Sequence, residues 1–394
     1  MTDELSSESA DEPPEAPELP DDLSDLHLTA WPFRVVPDES FATVWADRAD
    51  LKARIDRLVH GWSRQSQSSI HLMWANLGAG KTHTLRNIEQ RCLTNEKLRI
   101  LPLYSILPRQ MKSFIQVYRA IVATLDLSSV AKAFANLHGG SARDMREAGA
   151  KLFPAIPDAA TVLQQLVMAS EGQRSLAAEW LRGTRFYRRD LDTLGVTRYV
   201  QTDDDAVAVL TGLVSMISAA GRFGRIILML DECQRLGTFK RAIGSSINTG
   251  LQTWVDACPN HLTLIMSFGS GEQSFVEKLI SPEIYSRANP RHLILELLSV
   301  EDAVTFVTDL LAEFRQEDSP SDLFPFTLPM IEVVISEIVT ERGITPRRLM
   351  QGFHELLFEA DFKISTEGKF EMEPSEAAKF VKDALEKSES SKAE

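Results

Sequence analysis

The sequence has 394 residues, of which 44% are hydrophobic and 25% are charged, an ordinary globular composition in a chain long enough for two structured domains. No apolar run reaches the roughly 18 to 20 residues that would cross a bilayer, and three scattered cysteines fit neither a disulfide framework nor a metal site. The formal net charge is −14, but residues 1–26 supply ten acidic and no basic residues, so residues 27–394 carry only −4. The lack of a long apolar run argues against a membrane-spanning protein. The charge balance argues against a dedicated nucleic-acid binder, although it is compatible with a local basic patch.

The two ends of the chain are charged. Residues 1–26 are acidic and rich in proline, and they bury too little apolar surface to offset the entropy of ordering, so we expect a disordered tail. Residues 387–394 predict a second, shorter charged tail. The N-terminus has neither the basic start nor the apolar segment of a secretory signal, and the cysteines suit reduced thiols. We therefore expect a cytoplasmic protein.

Short apolar segments alternate with segments of helical periodicity along the first 300 residues. In chain order they predict a helix at 50–62, a strand at 69–75, a helix at 80–92, a strand at 98–105, helices at 112–125 and 203–220, strands at 225–232, 262–270 and 292–298, and a helix at 299–314. Strands that are apolar on both faces and alternate with helices form parallel sheets that are covered on both sides. The sequence therefore predicts an α/β fold with a parallel sheet.

Two regions depart from this alternation. Residues 127–200 contain no strand pattern and predict helices that are interrupted at HGGS (138–141). The residues from 300 onward also predict helices. The predicted domains are therefore a core at 27–299 that contains a helical insertion at 127–200, followed by a helical lid domain at 300–386.

The stretch WANLGAGKTHTL (74–85) has the pattern of a phosphate-binding loop between a strand and a helix. A phosphate cradle needs backbone N–H groups at a helix start, small residues beside the phosphates, a Lys for the β- and γ-phosphates and a hydroxyl for Mg²⁺. Gly78, Gly80, Lys81 and Thr82 meet these needs. The predicted nucleotide-binding residues are Ala75, Asn76, Leu77, Gly78, Ala79, Gly80, Lys81, Thr82 and His83. The alternative interpretation is a glycine-rich turn before an ordinary helix.

Ala75 occupies the position at which this pattern usually has a glycine. The position mainly concerns the exit from the strand and not the contact with phosphate. An added methyl group fits there if φ is negative and clashes if φ must be positive. Because the other four residues of the pattern are intact, we expect the loop to tolerate the alanine.

The segment RIILMLDE (225–232) supplies the acids that a phosphate loop requires. It predicts a central strand whose C-terminal end faces the loop. Asp231 would hold Mg²⁺ together with Thr82, and Glu232 would polarise the attacking water as a general base. The alternative is a strand that ends in two solvated acids.

With both motifs in place, residues 31–360 resemble the AAA+ class of P-loop ATPases. This resemblance implies an ATPase that uses ATP and Mg²⁺ and that forms a homo-oligomer. WPFRVV (31–36) and VWADR (44–48) resemble the segment that lines the adenine pocket in the origin-recognition-like and transposition-regulator-like branch.

The same resemblance implies three further site residues. Ser267, at the end of LTLIMSF, corresponds to the polar sensor 1 residue that orients water, although the class more often has Asn or Thr there. Arg287, with Arg291 as the second candidate, corresponds to the arginine finger that reaches a neighbouring subunit. Arg347 in GITPRRLM corresponds to sensor 2 in the lid. The alternatives are a surface arginine at 287 and an ordinary first-turn arginine at 347.

The insertion ends in AAEWLRGTRFYRRDLDTLGV, and with this end it is similar to ATPases of BREX-type phage-defence islands. It also holds a group of arginines interleaved with Phe186 and Tyr187, and this basic group consists of Arg182, Arg185, Arg188, Arg189 and Arg198. Such a group could bind a phosphate backbone and stack on bases, which makes DNA a candidate partner. The alternative is a solvated helix face whose arginines pair with acids such as Asp190 and Asp192.

Two functional hypotheses remain open from the sequence. The first is an ATP-hydrolysing switch or motor subunit that acts on DNA-associated machinery through a protein partner, in phage defence or mobile-element biology. The second is a tight ATP-binding scaffold or signalling protein with little turnover. Glu232 favours the first, because a protein that only binds nucleotide needs no base at that position.

Overall fold

One parallel sheet organises the structure, a computed structural model that describes residues 23–35, 40–137, 142–288, 292–340 and 343–390. Its strands are β1 (Ser69–Ala75), β2 (Ile100–Ile106), β3 (Arg225–Asp231), β4 (Leu262–Phe268) and β5 (His292–Leu295). Their order across the sheet is β2-β3-β4-β1-β5, and all four pairings are parallel. The five predicted strands are confirmed to within two or three residues at their ends.

Helices surround the sheet and continue beyond it, as the sequence predicts. They are α1 (Ala49–Arg64), α2 (Lys81–Thr94), α3 (Ile115–Ala123), α4 (Leu127–Leu137), α5 (Ala142–Leu152), α6 (Asp158–Met168), α7 (Glu171–Leu181), α8 (Arg188–Leu194), α9 (Asp203–Ala219), α10 (Arg241–Ala257), α11 (Gln273–Leu279), α12 (Pro282–Ala288), α13 (Val300–Glu313), α14 (Leu328–Ile338), α15 (Pro346–Glu367) and α16 (Pro374–Ser390). Short 3₁₀ turns lie at Ser24–Leu26, Ser40–Thr43, Glu96–Leu98 and Cys233–Thr238. The fold class is therefore an α/β parallel-sheet core with a helical insertion and a helical C-terminal region.

The two faces of the sheet pack into different hydrophobic cores. Alternate residues of a strand point to opposite faces, so Met73, Met229 and Ile265 pack with α1 and α2 on one face. Leu72 and Leu228 belong to the larger core on the other face. Because both faces are covered, the central strands are apolar throughout, which is the pattern that the sequence shows.

The helical insertion extends the larger core and does not form a core of its own. Phe134, Phe153 and Trp180 of the insertion lie in the same hydrophobic cluster as Leu228 and Leu264 of the sheet. The insertion therefore lies on the face of the sheet opposite to α1 and α2. The HGGS segment at 138–141 lies outside the described residues.

The lid helices form a second body with its own core, and the N-terminal segment belongs to it. Leu26 and Phe33 are fully buried among residues of α13–α16, and Phe41 stacks on Phe314 at a ring distance of 5.2 Å. This packing corrects the predicted tail at 1–26, because Leu23 and Leu26 are buried, while residues 1–22 lie outside the described residues.

Part of the predicted charged tail at 387–394 is helical. Helix α16 continues through Ser390 because its apolar face, with Val381 and Leu385, still packs on the lid core near that end. Residues 391–394 lie outside the described part of the chain. The remaining predicted domain boundaries stay predictions.

No single helix of the described residues is long and apolar enough to cross a membrane. Helices α3 and α4 reach that length only together, with an 88° bend between them. Both contribute buried residues to the larger core, among them Val117, Tyr118 and Phe134.

We predict that Gly212→Ala in α9 destabilises the fold by about 1–3 kcal/mol, because overpacking a close contact has a cost of this size. A Cβ at Gly212 would lie 2.1 Å from the Phe153 ring and 2.9 Å from the Leu152 carbonyl oxygen. The measurement is the free energy of unfolding in urea. Gly61→Ala in α1 is the control, since its Cβ would meet nothing within 4 Å and alanine favours helix. Equal effects of the two substitutions would contradict the prediction.

Candidate functional site

The phosphate-loop sequence lies between β1 and α2, at the carboxyl end of the sheet. Gly78 and Gly80 have φ values of +80° and +93°, which glycine adopts without strain. Ala75 is the last residue of β1, pairs with Leu295 of β5, and is not among the residues with positive φ. The alanine therefore fits because its position is still part of the strand.

The Lys81 side chain folds back onto the start of the phosphate loop. Its ammonium group donates hydrogen bonds to the carbonyl oxygens of Ala75 at 3.2 Å and Asn76 at 3.1 Å. Burial lowers the pKa of Lys81, while the nearby carboxylates of Asp231 and Glu232 oppose that shift. Lys81 is the first residue of α2. Its positive charge and the dipole of the helix both favour an anion at this position.

Asp231 receives hydrogen bonds from three different elements. The Thr82 hydroxyl donates to its Oδ2 at 2.7 Å, the Tyr104 hydroxyl donates to the same oxygen at 3.0 Å, and the Glu232 amide donates to Oδ1 at 2.8 Å. The exposed fraction of Asp231 is only 1%. The paired oxygens of Thr82 and Asp231 are hard donors of the kind that Mg²⁺ prefers, so the predicted metal residues fit the ion.

Glu232 lies beside Asp231 but its carboxylate is already engaged. The residue has a φ of +62° at the start of the 3₁₀ turn Cys233–Thr238. Its Oε2 accepts a hydrogen bond from Gln234 at 3.0 Å and pairs with Arg235 at 3.2 Å. The Gln234 amide oxygen in turn accepts from the Gly269 amide at 2.7 Å, just beyond β4. A base at this position must therefore work from within a small polar network.

Arg347 brings the lid to the phosphate loop. Thr345 caps α15 by accepting the Arg348 amide at 3.2 Å, and Pro346 occupies the first turn, as expected for a helix start. The Arg347 amide donates to the Gly78 carbonyl oxygen at 3.2 Å, and a Cβ at Gly78 would lie 3.0 Å from the Arg347 Cβ. The structure thus brings together the loop, Asp231, Glu232 and Arg347. Their chemical roles stay predictions.

Ser267 lies near the C-terminal end of β4, next to the end of β3 where Asp231 lies. It pairs with Met73 of β1, and β3 and β4 are in register at Leu230 and Met266, so Ser267 and Asp231 are neighbours on one face. Its side chain is fully buried, and its hydroxyl oxygen has no hydrogen-bond partner among the described residues.

The predicted arginine finger lies away from this group. Arg287 is on α12 and pairs with Asp256, and it does not line the cavity beside the phosphate loop. Arg291 lies outside the described residues. A role of Arg287 in a neighbouring subunit therefore stays a prediction, and it would require the pair with Asp256 to open.

A cavity adjoins the phosphate loop and is closed by the N-terminal segment and the lid. Its lining includes Lys81, Thr82, His83, Glu232 and Arg347. Apolar side chains also line the cavity: Phe41, Val44 and Trp45 from the N-terminal segment, and Phe306, Leu310 and Met350 from the lid. A pocket that combines apolar side chains with phosphate-binding groups suits a nucleotide, whose base is flat and whose phosphates are charged.

The side chains of the remaining loop residues take different positions. Ala79 is fully buried, whereas Leu77 is 72% exposed at the mouth of the cavity. His83 Nε2 lies 2.8 Å from the Val44 carbonyl oxygen, and burial lowers the pKa of this histidine. His83 therefore joins α2 to the N-terminal segment.

Arg48 is a site residue that the motifs did not identify. Its guanidinium group donates to the Ala79 carbonyl oxygen at 2.7 Å and to the Glu296 carbonyl oxygen at 2.6 Å, and it lines the cavity. Asp47 and Arg48 both have a φ of +53°, which non-glycine residues rarely adopt. The arginine is visible in the sequence as the last residue of VWADR, just before α1. Its role could not be predicted because the two carbonyl oxygens that it contacts, those of Ala79 and Glu296, lie in distant segments of the chain.

The basic group of the insertion is mostly paired with acids. Arg182 pairs with Glu179 at 2.7 Å, Arg188 with Asp192 at 3.1 Å, and Arg198 with Asp205 at 2.9 Å. Phe186 is buried in the larger core and cannot stack on a base, whereas Tyr187 is 75% exposed. Within the described part of the chain, Arg185 and Arg189 are exposed and have no ion pair.

Comparison with known proteins places the fold. The Aeropyrum pernix ORC2 protein, in its ADPNP–ADP complexes, matches with a TM-score of 0.52 at 12% identity, over 87% of this chain and 71% of that one. The Walker-type ATPase PABY2304 of Pyrococcus abyssi matches with a TM-score of 0.49 at 11% identity, over 92% and 78%. The Aeropyrum pernix ORC1 protein in complex with DNA matches with a TM-score of 0.46 at 16% identity, over 90% and 68%.

The sheet and the first of these matches decide the fold. The chain has the fold of an AAA+ P-loop NTPase. No family model matches the sequence, and no curated protein matches it. At 12% identity the likeness is one of architecture, so the activity has to be argued from the residues of this chain.

We predict that Arg48→Ala weakens ATP binding about tenfold or more, because it removes two charged hydrogen bonds, of about 1.5–3 kcal/mol each, that position the phosphate loop against β5. The measurement is a titration with a fluorescent ATP analogue. Arg54→Ala is the matched control, since Arg54 lies on α1 close to Arg48 in sequence and donates to a β5 carbonyl, that of His292, but does not bond to the loop. Equal loss in both variants would show that Arg48 acts only through general stability.

Proposed function

We propose that this chain is an ATP-binding and ATP-hydrolysing AAA+ switch or motor subunit that acts on DNA-associated machinery. The observation that carries the proposal is the hydrogen bond between Thr82 and Asp231. It joins the end of the phosphate loop to the acid at the end of β3, and Lys81 and Arg347 lie against the same loop. A glycine-rich turn with no ligand would not need a buried carboxylate and two cations around it.

Each residue then has a chemical task. The loop amides and Lys81 would hold the β- and γ-phosphates, and Arg347 would contact them from the lid. Thr82 and Asp231 would hold Mg²⁺, which when bound neutralises charge that develops on the phosphates. Glu232 would accept the proton of the attacking water, and the Ser267 hydroxyl, which is buried beside Asp231, would orient that water.

The lid would convert nucleotide binding into motion. Arg347 and Met350 of α15 and Phe306 of α13 line one side of the cavity, and the phosphate loop forms the other. A ligand that contacts both sides favours the closed arrangement by its differential affinity for it. The lid, together with the N-terminal segment that shares its core, would then move relative to the sheet.

The partners follow from this proposal and from the exposed parts of the insertion. We propose a homo-oligomer in which Arg287 reaches a neighbouring site, a protein partner, and DNA as a second candidate partner that contacts Arg185, Arg188 and Arg189. The cytoplasmic location and the setting in phage defence remain expectations that rest on the sequence.

One observation favours the second hypothesis, a scaffold that binds ATP tightly with little turnover. The Glu232 carboxylate is occupied by Gln234 and Arg235 and is not free to bind a water molecule on that oxygen. A protein in which Glu232 stays bound to Gln234 and Arg235 would bind nucleotide and would hydrolyse it only after a partner had released the Glu232 carboxylate.

We predict that Glu232→Gln leaves ATP binding intact and lowers ATP turnover by about 100-fold or more, the size of a general-base contribution. Turnover and binding are measured on the same preparations, at several protein concentrations and with and without duplex DNA. Glu147→Gln is the control, because Glu147 is an exposed acid on α5 that pairs with Arg143. If the wild-type protein binds ATP but never hydrolyses it under these conditions, the scaffold hypothesis replaces the switch.

We predict that Arg185→Ala combined with Arg189→Ala weakens duplex DNA binding and flattens its dependence on salt, since each lost phosphate contact lowers the logarithmic salt slope by about 0.9. Fluorescence anisotropy at several salt concentrations measures both quantities. Arg143→Ala on α5 is the control, an exposed arginine of the insertion outside the basic group. Identical DNA binding by the wild type and the double variant would exclude this surface as the DNA contact.

A further inference from the structure

Tyr104 is a buried tyrosine whose hydroxyl group reaches the acid of the proposed metal site. It lies on β2, which pairs with β3, and no sequence motif marks it. Its hydroxyl donates to Asp231 Oδ2 at 3.0 Å, the same oxygen that Thr82 contacts at 2.7 Å. An ordinary core tyrosine needs only some acceptor for its hydroxyl, and here the acceptor is the carboxylate that would hold the ion.

The ring of Tyr104 is fixed in place by α2. The Arg86 guanidinium carbon lies 3.8 Å from the centre of the ring, and Arg86 also pairs with Glu89 at 2.6 Å. Arg86 is four residues after Thr82, one helical turn away on the same side of α2. Helix α2 therefore carries both the Thr82 hydroxyl and the arginine that packs on the Tyr104 ring.

Three groups donate hydrogen bonds to the Asp231 carboxylate. The Thr82 and Tyr104 hydroxyls donate to Oδ2, and the Glu232 amide donates to Oδ1. Such bonds to a ligating carboxylate fix its orientation and its charge.

We propose that Tyr104 is a positioning residue for the divalent cation, which orients the Asp231 carboxylate toward the ion that Asp231 and Thr82 hold. This inference rests on the proposed function. It adds a residue that does not touch the nucleotide, and it assigns β2 a part in metal binding in addition to the loop and β3.

The test is the Mg²⁺ concentration that half-saturates tight ATP binding, measured with a fluorescent ATP analogue in wild type and Tyr104→Phe. We expect the variant to require about tenfold more Mg²⁺, within the range of outer-sphere substitutions, because Asp231 loses a donor while the ring stays against Arg86. Binding of the same analogue in EDTA should not change. Tyr118→Phe is the matched control, a buried tyrosine whose hydroxyl donates to the Leu181 carbonyl on the opposite face of the sheet.

Each other outcome overturns the inference. An unchanged Mg²⁺ requirement in Tyr104→Phe would show that the hydroxyl does not act on the metal site. A parallel loss of binding in EDTA, or an equal shift in Tyr118→Phe, would show a structural role of the core and not a positioning role. If the wild type binds no ATP with or without Mg²⁺, the proposed function fails, and this inference fails with it.

Discussion

The hydrogen bond between Thr82 and Asp231 is the contact on which the site depends. It spans 149 residues of sequence and exists only because β3 and β1 end at the same edge of a parallel sheet, with β4 between them. Bonds to a charged acceptor contribute about 1.5–3 kcal/mol, and a buried carboxylate that loses its donors is costly. The sheet therefore has to keep its register, and the apolar strands beneath the site serve that purpose. The large insertion does not disturb this geometry, because it packs on the opposite face of the sheet.

A second constraint acts on the loop from outside the sheet. The carbonyl oxygens of Gly78 and Ala79 are both occupied, the first by the Arg347 amide of the lid and the second by the Arg48 guanidinium group. The N-terminal segment shares its core with the lid, and the chain crosses from that core to the sheet at Asp47 and Arg48, which both adopt a left-handed backbone. Hydrogen bonds to two adjacent loop carbonyl oxygens therefore connect the phosphate loop with the lid and with the end of the N-terminal segment. Under the proposed function, a shift of the lid would act on the loop through these two contacts.

The sequence predicts the parts of the fold that are encoded locally. Apolar runs of strand length identify β1 to β5, and the loop, Asp231 and Glu232 follow from residue type and position alone. The missed features all depend on contacts between distant segments. Leu26 packs on helices that begin near residue 300, and Arg48 bonds to Glu296, so their surroundings are invisible in the local pattern. Tyr104 looks like any other aromatic residue of a strand until β2 and β3 pair in register. For the basic group of the insertion the sequence left two alternatives open, and the structure favours the paired one, because most of its arginines pair with acids and Phe186 is part of the core.

The two functional hypotheses differ in the state of one carboxylate. Arg235 contacts Glu232 and also donates to the Leu107 carbonyl oxygen, so it has a second partner to which it stays bound when Glu232 turns away. Gln234 contacts Glu232 and the Gly269 amide together, which couples the base to the loop after β4. That loop passes close to Asn76, since a Cβ at Gly271 would lie 2.3 Å from the Asn76 side-chain oxygen. A displacement of the phosphate loop by nucleotide would therefore reach Glu232 through Asn76, the β4 loop and Gln234. Under the proposed function, a state in which Glu232 stays paired with Gln234 and Arg235 would hold ATP without turnover, and a state in which its side chain has turned away from them would hydrolyse it.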